Sequence, residues 1–418
     1  MLANLTTPFL GVVATTAIGR LGEAHLLGGV AIASVVFDCM FWLFGFLRMG
    51  TVALTAQAVG ANDGLEIRAV LLRAVGIAAL VGVLLLIVQQ PLSAAIFGLI
   101  GGSDAVTRAA RGYFAIRLWS APFVLANYVL VGWLVGQART GIALMLQIVI
   151  NTVNMAATAW LVLGLGSGIA GAAIAAVLAE GLGLVAGAIA AWRVLGGRFD
   201  VTLATLLDRA RLLRMLAVNR DIMIRTAALI AAFLFFTAQG ARAGDETLAA
   251  NAVLNNFMLI GSFFLDGLAN AAEQICGTSV GAADKTGFRT AVRLVVAWGF
   301  AFGVAVTLLF VVAGGALIDF ITTSPQVRVT ARAYMVLAAL APACGVLAYS
   351  FDGIYIGATW SRDMRNLMVV ALGVYLASWW LLQGFGNAGL WGALLGFLLV
   401  RGLLQAWRYP SLLRTAFA

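Results

Sequence analysis

The sequence predicts an all-α integral membrane protein with twelve transmembrane helices in two pseudo-symmetric six-helix lobes. Three observations carry this: the composition, the spacing of the apolar runs and an internal likeness between the halves. Of 418 residues, 63% are hydrophobic and only 10% charged. A soluble chain carries roughly 25% charged residues. So little charge cannot cover a water-facing surface, so most of the surface must face hydrocarbon. The 48 glycines fit, because small residues let membrane helices approach closely.

Apolar runs long enough to span a bilayer recur with short polar breaks. In the first half they cover 2–18, 25–59, 66–89, 104–137, 140–163 and 168–194. In the second they cover 218–240, 246–281, 287–318, 326–358, 364–383 and 387–408. Breaks such as Ala61-Asn62-Asp63-Gly64 and Gly101-Gly102-Ser103-Asp104 separate them. The start lacks a basic region and a small-residue cleavage site, so it reads as the body of a first membrane helix. The least apolar connection runs from Gly196 to Arg220 and carries Arg198, Arg209, Arg211 and Arg214. The expected organisation is therefore an N-terminal lobe (1–195), an inter-lobe linker (196–217) and a C-terminal lobe (218–418).

The halves match at a shift of about 221 residues. Gly60-Ala61-Asn62-Asp63 meets Gly281-Ala282-Ala283-Asp284, and Gly132-Trp133-Leu134-Val135-Gly136 meets Gly353-Ile354-Tyr355-Ile356-Gly357. Six helices per unit is an even number, which makes the units parallel repeats about an axis along the membrane normal. Arginine is denser on the side of the Arg198–Arg220 connection, which places that connection and both termini in the cytoplasm.

Several function classes drop out. The net charge of +9 is spread singly, without the basic run that nucleic acid requires. Cys39, Cys276 and Cys344 lie far apart in apolar runs, which suggests neither disulfides nor a metal site. The lone His25 sits at a helix boundary, and no HExxH, Walker loop or GxSxG is present. The chain reads as no enzyme and needs no cofactor. Without a nucleotide site, uphill transport has to draw on an ion gradient of H+ or Na+.

Ionisable side chains at membrane depth cost several kcal/mol and usually face a cavity or a partner. On the eighth expected helix Asn255, Ser262, Asp266, Asn270 and Glu273 follow at spacings of 7, 4, 4 and 3, one polar stripe. Gln147, Asn151, Asn154 and Thr158 make a second on the fifth. Tyr349 and Asp352 lie on the tenth, and Arg117, Ser120 and Asn127 on the fourth. Four stripes, two in each half, imply a polar chamber between the halves. The structural alternatives are amides that bond neighbouring helices and carboxylates paired with Arg225 or Arg48. Asp38 fits either the chamber or an interface, and Glu180 reads as a helix-packing carboxylate.

The chain resembles the multidrug and toxic compound extrusion (MATE) family, most nearly its DinF-like branch, over essentially its whole length. The likeness rests on Thr16-Ala17-Ile18-Gly19-Arg20-Leu21-Gly22, Phe44-Gly45-Phe46-Leu47-Arg48-Met49-Gly50-Thr51 and Ala56-Gln57-Ala58-Val59-Gly60-Ala61. In the second half it rests on Phe264-Leu265-Asp266-Gly267-Leu268-Ala269, Ala272-Glu273, Asp352-Gly353-Ile354-Tyr355-Ile356-Gly357-Ala358-Thr359 and Gly389-Leu390-Trp391. The resemblance implies a V of two lobes with alternating access, exporting amphipathic and often cationic compounds. It carries cation-binding roles onto Asp266, Glu273 and Asp352, and an amide role onto Asn154. Two departures stand out. Ala14 and Thr158 occupy places where the family commonly has first-lobe acids, and the family usually has more sequence before the first helix.

The reading is thus a monomeric, multi-pass exporter of the bacterial cytoplasmic membrane. It would exchange small organic, mostly cationic substrates for protons or sodium. Its expected binding residues are Asp266, Glu273, Asp352, Asn270, Tyr349 and Asn255 in one lobe. In the other they are Gln147, Asn151, Asn154, Thr158, Asn127 and Asp38. The alternatives are a lipid-linked precursor flippase of the same superfamily and a non-transporting relative.

Overall fold

The computed structural model describes residues 11, 13–20, 22–101, 103–197 and 200–417. Residues 2–10 and 12 of the expected first helix, with Leu21, Gly102 and Arg198, lie outside the described residues. Residues 13–19 form α1. The first half continues with α2 (Ala24–Leu43), α3 (Phe46–Gly60), α4 (Gly64–Ile87), α5 (Gln89–Ile100), α6 (Asp104–Arg117), α7 (Ala121–Gly136), α8 (Thr140–Thr158) and α9 (Gly168–Val194). A short α10 (Leu203–Leu206) leads to α11 (Arg209–Arg242), which begins inside the 196–217 connection. Then follow α12 (Asp245–Gly281), α13 (Lys285–Ile321), α14 (Pro325–Gly357), α15 (Ser361–Leu382) and α16 (Gly386–Ala416).

Among the described residues, ten helical stretches are long and apolar enough to cross a membrane. The last, Ser361–Ala416, is two helices, because a 3-10 turn at Gln383–Phe385 and the left-handed Gly386 (φ +56°) reverse the chain. With α1, this is the twelve-helix, two-lobe fold. The outer faces are apolar: Leu99, Val312 and Phe320 are almost fully exposed, as lipid-facing residues are.

The repeat is written into the element ends. At the 221-residue offset the span 24–60 falls on α12, 64–100 on α13 and 104–136 on α14. The turns repeat as well. Asn62 and Ala283 share a φ near +54°, as do Ala138 and Thr359 (φ +60° and +55°). Asp63 accepts from the Glu66 amide at 2.9 Å, and Asp284 accepts from the Gly287 amide at 2.8 Å. Each caps the helix it precedes.

Each first-half partner is broken where its second-half equivalent runs through. The expected helix 25–59 splits at Gly45, and 64–100 splits at Val88 ahead of Pro91. The stretch 104–136 tightens to a 3-10 turn at Leu118–Ser120 ahead of Pro122. Proline has no N–H to give the carbonyl four residues back, so the ladder fails there. In α14, Pro342 is tolerated inside an unbroken helix. Gly261 and Gly303 lie against it, and a Cβ at Gly261 would stand 2.6 Å from the Pro342 Cγ.

The chain divides into two compact units, one of residues up to 55 with 63–215, the other of 216–418 with the segment 56–62. Within the first, Gly132 and Gly136 of α7 press on the carbonyls of Arg48 and Val52, where a Cβ would stand at 2.5 and 2.8 Å. Within the second, Gly353 and Gly357 of α14 press on the carbonyls of Ala269 and Glu273 at 2.3 and 2.5 Å. These are small-xxx-small contacts, repeated at equivalent places, and they bring α14 against the polar stripe of α12.

Candidate functional site

Asp352 sits at the centre of a buried charge cluster in the C-terminal unit. It precedes the Gly353 contact, so the α12–α14 packing fixes its position. Its Oδ2 meets guanidinium nitrogens of both Arg225 on α11 and Arg401 on α16, the latter at 2.9 Å. Its Oδ1 accepts from Gln405 Nε2 at 2.9 Å. Asp352, Arg225 and Arg401 are 5%, 5% and 2% exposed. A carboxylate this buried is tolerable only when paired, and two helices, α11 and α16, supply the partners.

The other expected residues of this unit gather around the cluster. Tyr349, one turn before Asp352, shares a 2.6 Å hydrogen bond with Ser262 of α12. The Arg401 guanidinium lies 5.6 Å from the centre of the Tyr349 ring and 6.0 Å from that of Phe397. Asp266 and Glu273 are within electrostatic reach of Arg225, and Asp266 also of Arg401 and Tyr349. Glu273 is buried, while Asp266, Asn270 and Asn255 are half-buried.

For Asp352 the structure takes the paired alternative. The Asp352 charge is already met by two guanidinium groups. Arg225 stood among the possible partners, but Arg401 and Gln405 did not. Arg401 with a glutamine four residues on, in the middle of the apolar run 387–408, was the available signal.

The N-terminal unit arranges its polar residues differently. Gln147 donates to Asn151 at 3.3 Å, and Thr158 donates to Asn154 at 3.1 Å, both along α8 itself. Asn127 of α7 donates to Glu180 of α9 at 2.8 Å. Asp38 is exposed on α2, and Arg117 stacks over the neighbouring Phe37 at 4.8 Å. At the repeat offset Asp266, Glu273 and Asp352 fall on Gly45, Val52 and Val131, so this charge cluster has no counterpart there.

The family model described as MatE matches residues 1–161 and 222–379. The chain belongs to the MatE family. That is the multidrug and toxic compound extrusion family foreseen above, a family of membrane-embedded transporters and not of enzymes. The chain is 36% identical to DNA damage-inducible protein F of Escherichia coli (strain K12), over 97% of this chain and 89% of that protein. It is 27% identical to the probable multidrug resistance protein NorM of Rhizobium meliloti (strain 1021), covering 96% and 89%. A crystal structure of MATE in the bent conformation superposes with a TM-score of 0.90 at 18% identity, covering 100% of this chain and 95% of that one.

Proposed function

We propose that this MatE-family protein exports amphipathic, mostly cationic organic compounds by exchange with protons or sodium through alternating access. The observation that carries the reading is the charge count of the C-terminal cluster. Asp266, Glu273 and Asp352 stand against Arg225 and Arg401. Among these five groups, all ionised, carboxylates outnumber guanidinium groups by one.

A gathering of like charges in a low-dielectric interior costs several kcal/mol. The cluster therefore favours one further positive charge. A proton, a sodium ion and a substrate cation all satisfy that demand, and only one is needed at a time. Competition for a single charge is a physical basis for exchange. The half-buried ring of Tyr349 is the aromatic neighbour that can hold a flat cation without fixing its shape.

In this reading the chain works as a monomer in a bacterial cytoplasmic membrane with both termini inside. Ethidium efflux from vesicles carrying Asp266→Asn or Asp352→Asn tests it. Each variant is expected to lose gradient-driven efflux, the first by removing the surplus charge and the second by leaving two arginines under-matched. Undiminished efflux in both would reject the coupling role.

Arg225 and Arg401 favour a second reading, a flippase for an anionic lipid-linked precursor. The same vesicles loaded with an anionic fluorescent amphiphile separate the two. Its movement in place of ethidium would select the flippase.

A further inference from the structure

We propose that Glu180 is a proton-carrying carboxylate of the N-terminal unit, a role that rests on the gradient-coupled reading above. Among the described residues of that unit, the carboxylates lying well inside membrane-length helices are Asp38 on α2 and Glu180 on α9. The others sit at helix ends or in connections. Asp38 is exposed, whereas Glu180 faces the packed side of α9. One turn further on, a Cβ at Gly183 would stand 2.4 Å from Ile150 and 3.2 Å from the Asn127 amide nitrogen. The small residues of α9 thus draw α7 and α8 in around the carboxylate.

The manner of its holding distinguishes Glu180 from Asp352. Asp352 is fixed by two guanidinium groups. Among the described residues Glu180 has no ion pair within bridging distance, and its side chain is held by a neutral amide. Asn127 Nδ2 donates to Glu180 Oε2 at 2.8 Å and to the Glu180 carbonyl at 3.0 Å. Arg117 of α6 lies within electrostatic reach, but its Nη1 donates to the Tyr113 hydroxyl at 2.8 Å and its guanidinium stacks on Phe37. Tyr128 of α7 feels Glu180, Asp38, Arg48 and Arg117. The remaining elements packed on α9 are α8, the Leu118–Ser120 turn and the π-turn Ala159–Gly164, and they carry no ionisable side chain.

A second observation asks for a proton there. Asn127 is 3% exposed, and its Oδ1 finds no hydrogen-bond donor. A buried acceptor without a donor is costly, and here it lies beside a carboxylate, which supplies only more acceptors. Protonation forms an O–H bond on a Glu180 carboxyl oxygen, removes the negative charge and adds the donor that the pocket lacks. Deprotonation breaks that bond and leaves the carboxylate on the Asn127 N–H. A group so held changes charge without tearing apart an ion pair.

The test uses the purified full-length protein. In pH-difference infrared spectra a protonated carboxyl gives its own C=O band. A band present in the wild type is expected to vanish in Glu180→Gln, which keeps the shape and the acceptor for Asn127. Its pH midpoint is expected to move in Asn127→Ala. In proteoliposomes with an imposed pH gradient, E180Q is expected to move ethidium at least about tenfold more slowly than wild type. Identical spectra in wild type and E180Q would overturn the proposal, and so would wild-type transport by E180Q. If the wild type itself moves no ethidium under any gradient, the export reading fails. The infrared comparison then still decides whether Glu180 binds the proton.

Discussion

Gly60 and Gly281 occupy equivalent places in the repeat, and each lies against the carbonyl three residues before the other. A Cβ on Gly60 would stand 2.0 Å from the Thr278 oxygen, and one on Gly281 would stand 2.0 Å from the Gln57 oxygen. The ends of α3 and α12 therefore cross backbone to backbone. Gln57 Nε2 adds a 2.9 Å bond to the Gly357 carbonyl from the same turn of α3.

Alanine at either glycine is expected to force the crossing apart. Overpacking of this kind costs about 1–3 kcal/mol. Thermal unfolding of Gly60→Ala and Gly281→Ala in detergent should show similar losses, because the contacts are equivalent. A melting temperature equal to wild type in either variant would contradict the crossing.

The Asp352 cluster predicts a rescue. Arg401→Ala leaves a void and a poorly matched carboxylate, at a cost of about 3–5 kcal/mol in stability. Replacing Arg225 and Arg401 with Met together with Asp352→Leu, Asp266→Asn and Glu273→Gln removes all five charges and should recover much of that loss. The fivefold variant should nevertheless stay inactive in ethidium efflux. Efflux by the fivefold variant would show that the charges serve packing alone.

Asn251, Asn387 and Trp391 form a buried amide network away from that cluster. Asn251 and Asn387 exchange bonds of 2.8 and 2.9 Å, and Trp391 Nε1 donates to Asn251 at 2.9 Å. Asn251→Ala should cost about 1–3 kcal/mol, since it strands two buried polar groups. Efflux per folded molecule should be unchanged. A selective loss of transport at full stability would move Asn251 into the functional site.

Arg73 holds the connection that follows α9. It is 5% exposed, donates to the Thr205 and Leu206 carbonyls at 2.6 and 3.1 Å, and pairs with Glu66 at 2.8 Å. A cation on the last carbonyls of a short helix stabilises its end. Arg73→Ala should free α10, so trypsin should cut after Arg209 and Arg211 sooner than in wild type. Unchanged digestion would assign the hold to other contacts.

The helices and the repeat were legible because both are local or periodic. Apolar length marks a span, and the offset of Gly60 to Gly281 and Gly132 to Gly353 marks the duplication. The breaks at Gly45 and before Pro122 lie inside the apolar runs 25–59 and 104–137 and leave no mark on hydropathy, whereas the run 66–89 ends at the break before Pro91. The stripe on α8 shows a deeper ambiguity. A spacing of four residues puts Asn154 and Thr158 on one face, as a cavity lining needs, and it also lets them bond each other, as they do. The partnership of Asp352 with Arg401 joins residues far apart in sequence, and hydropathy carries no trace of which helices will touch. The Glu180 pairing with Asn127 was readable only as the general expectation that such a carboxylate packs between helices.

The Asp352 cluster also orders the making of the protein. Arg225 is synthesised before Asp352, but Arg401 follows it by 49 residues, on α16. Until α16 arrives, α14 carries a carboxylate with half its counter-charge. The settling of this buried charge therefore waits for α16 to join α14.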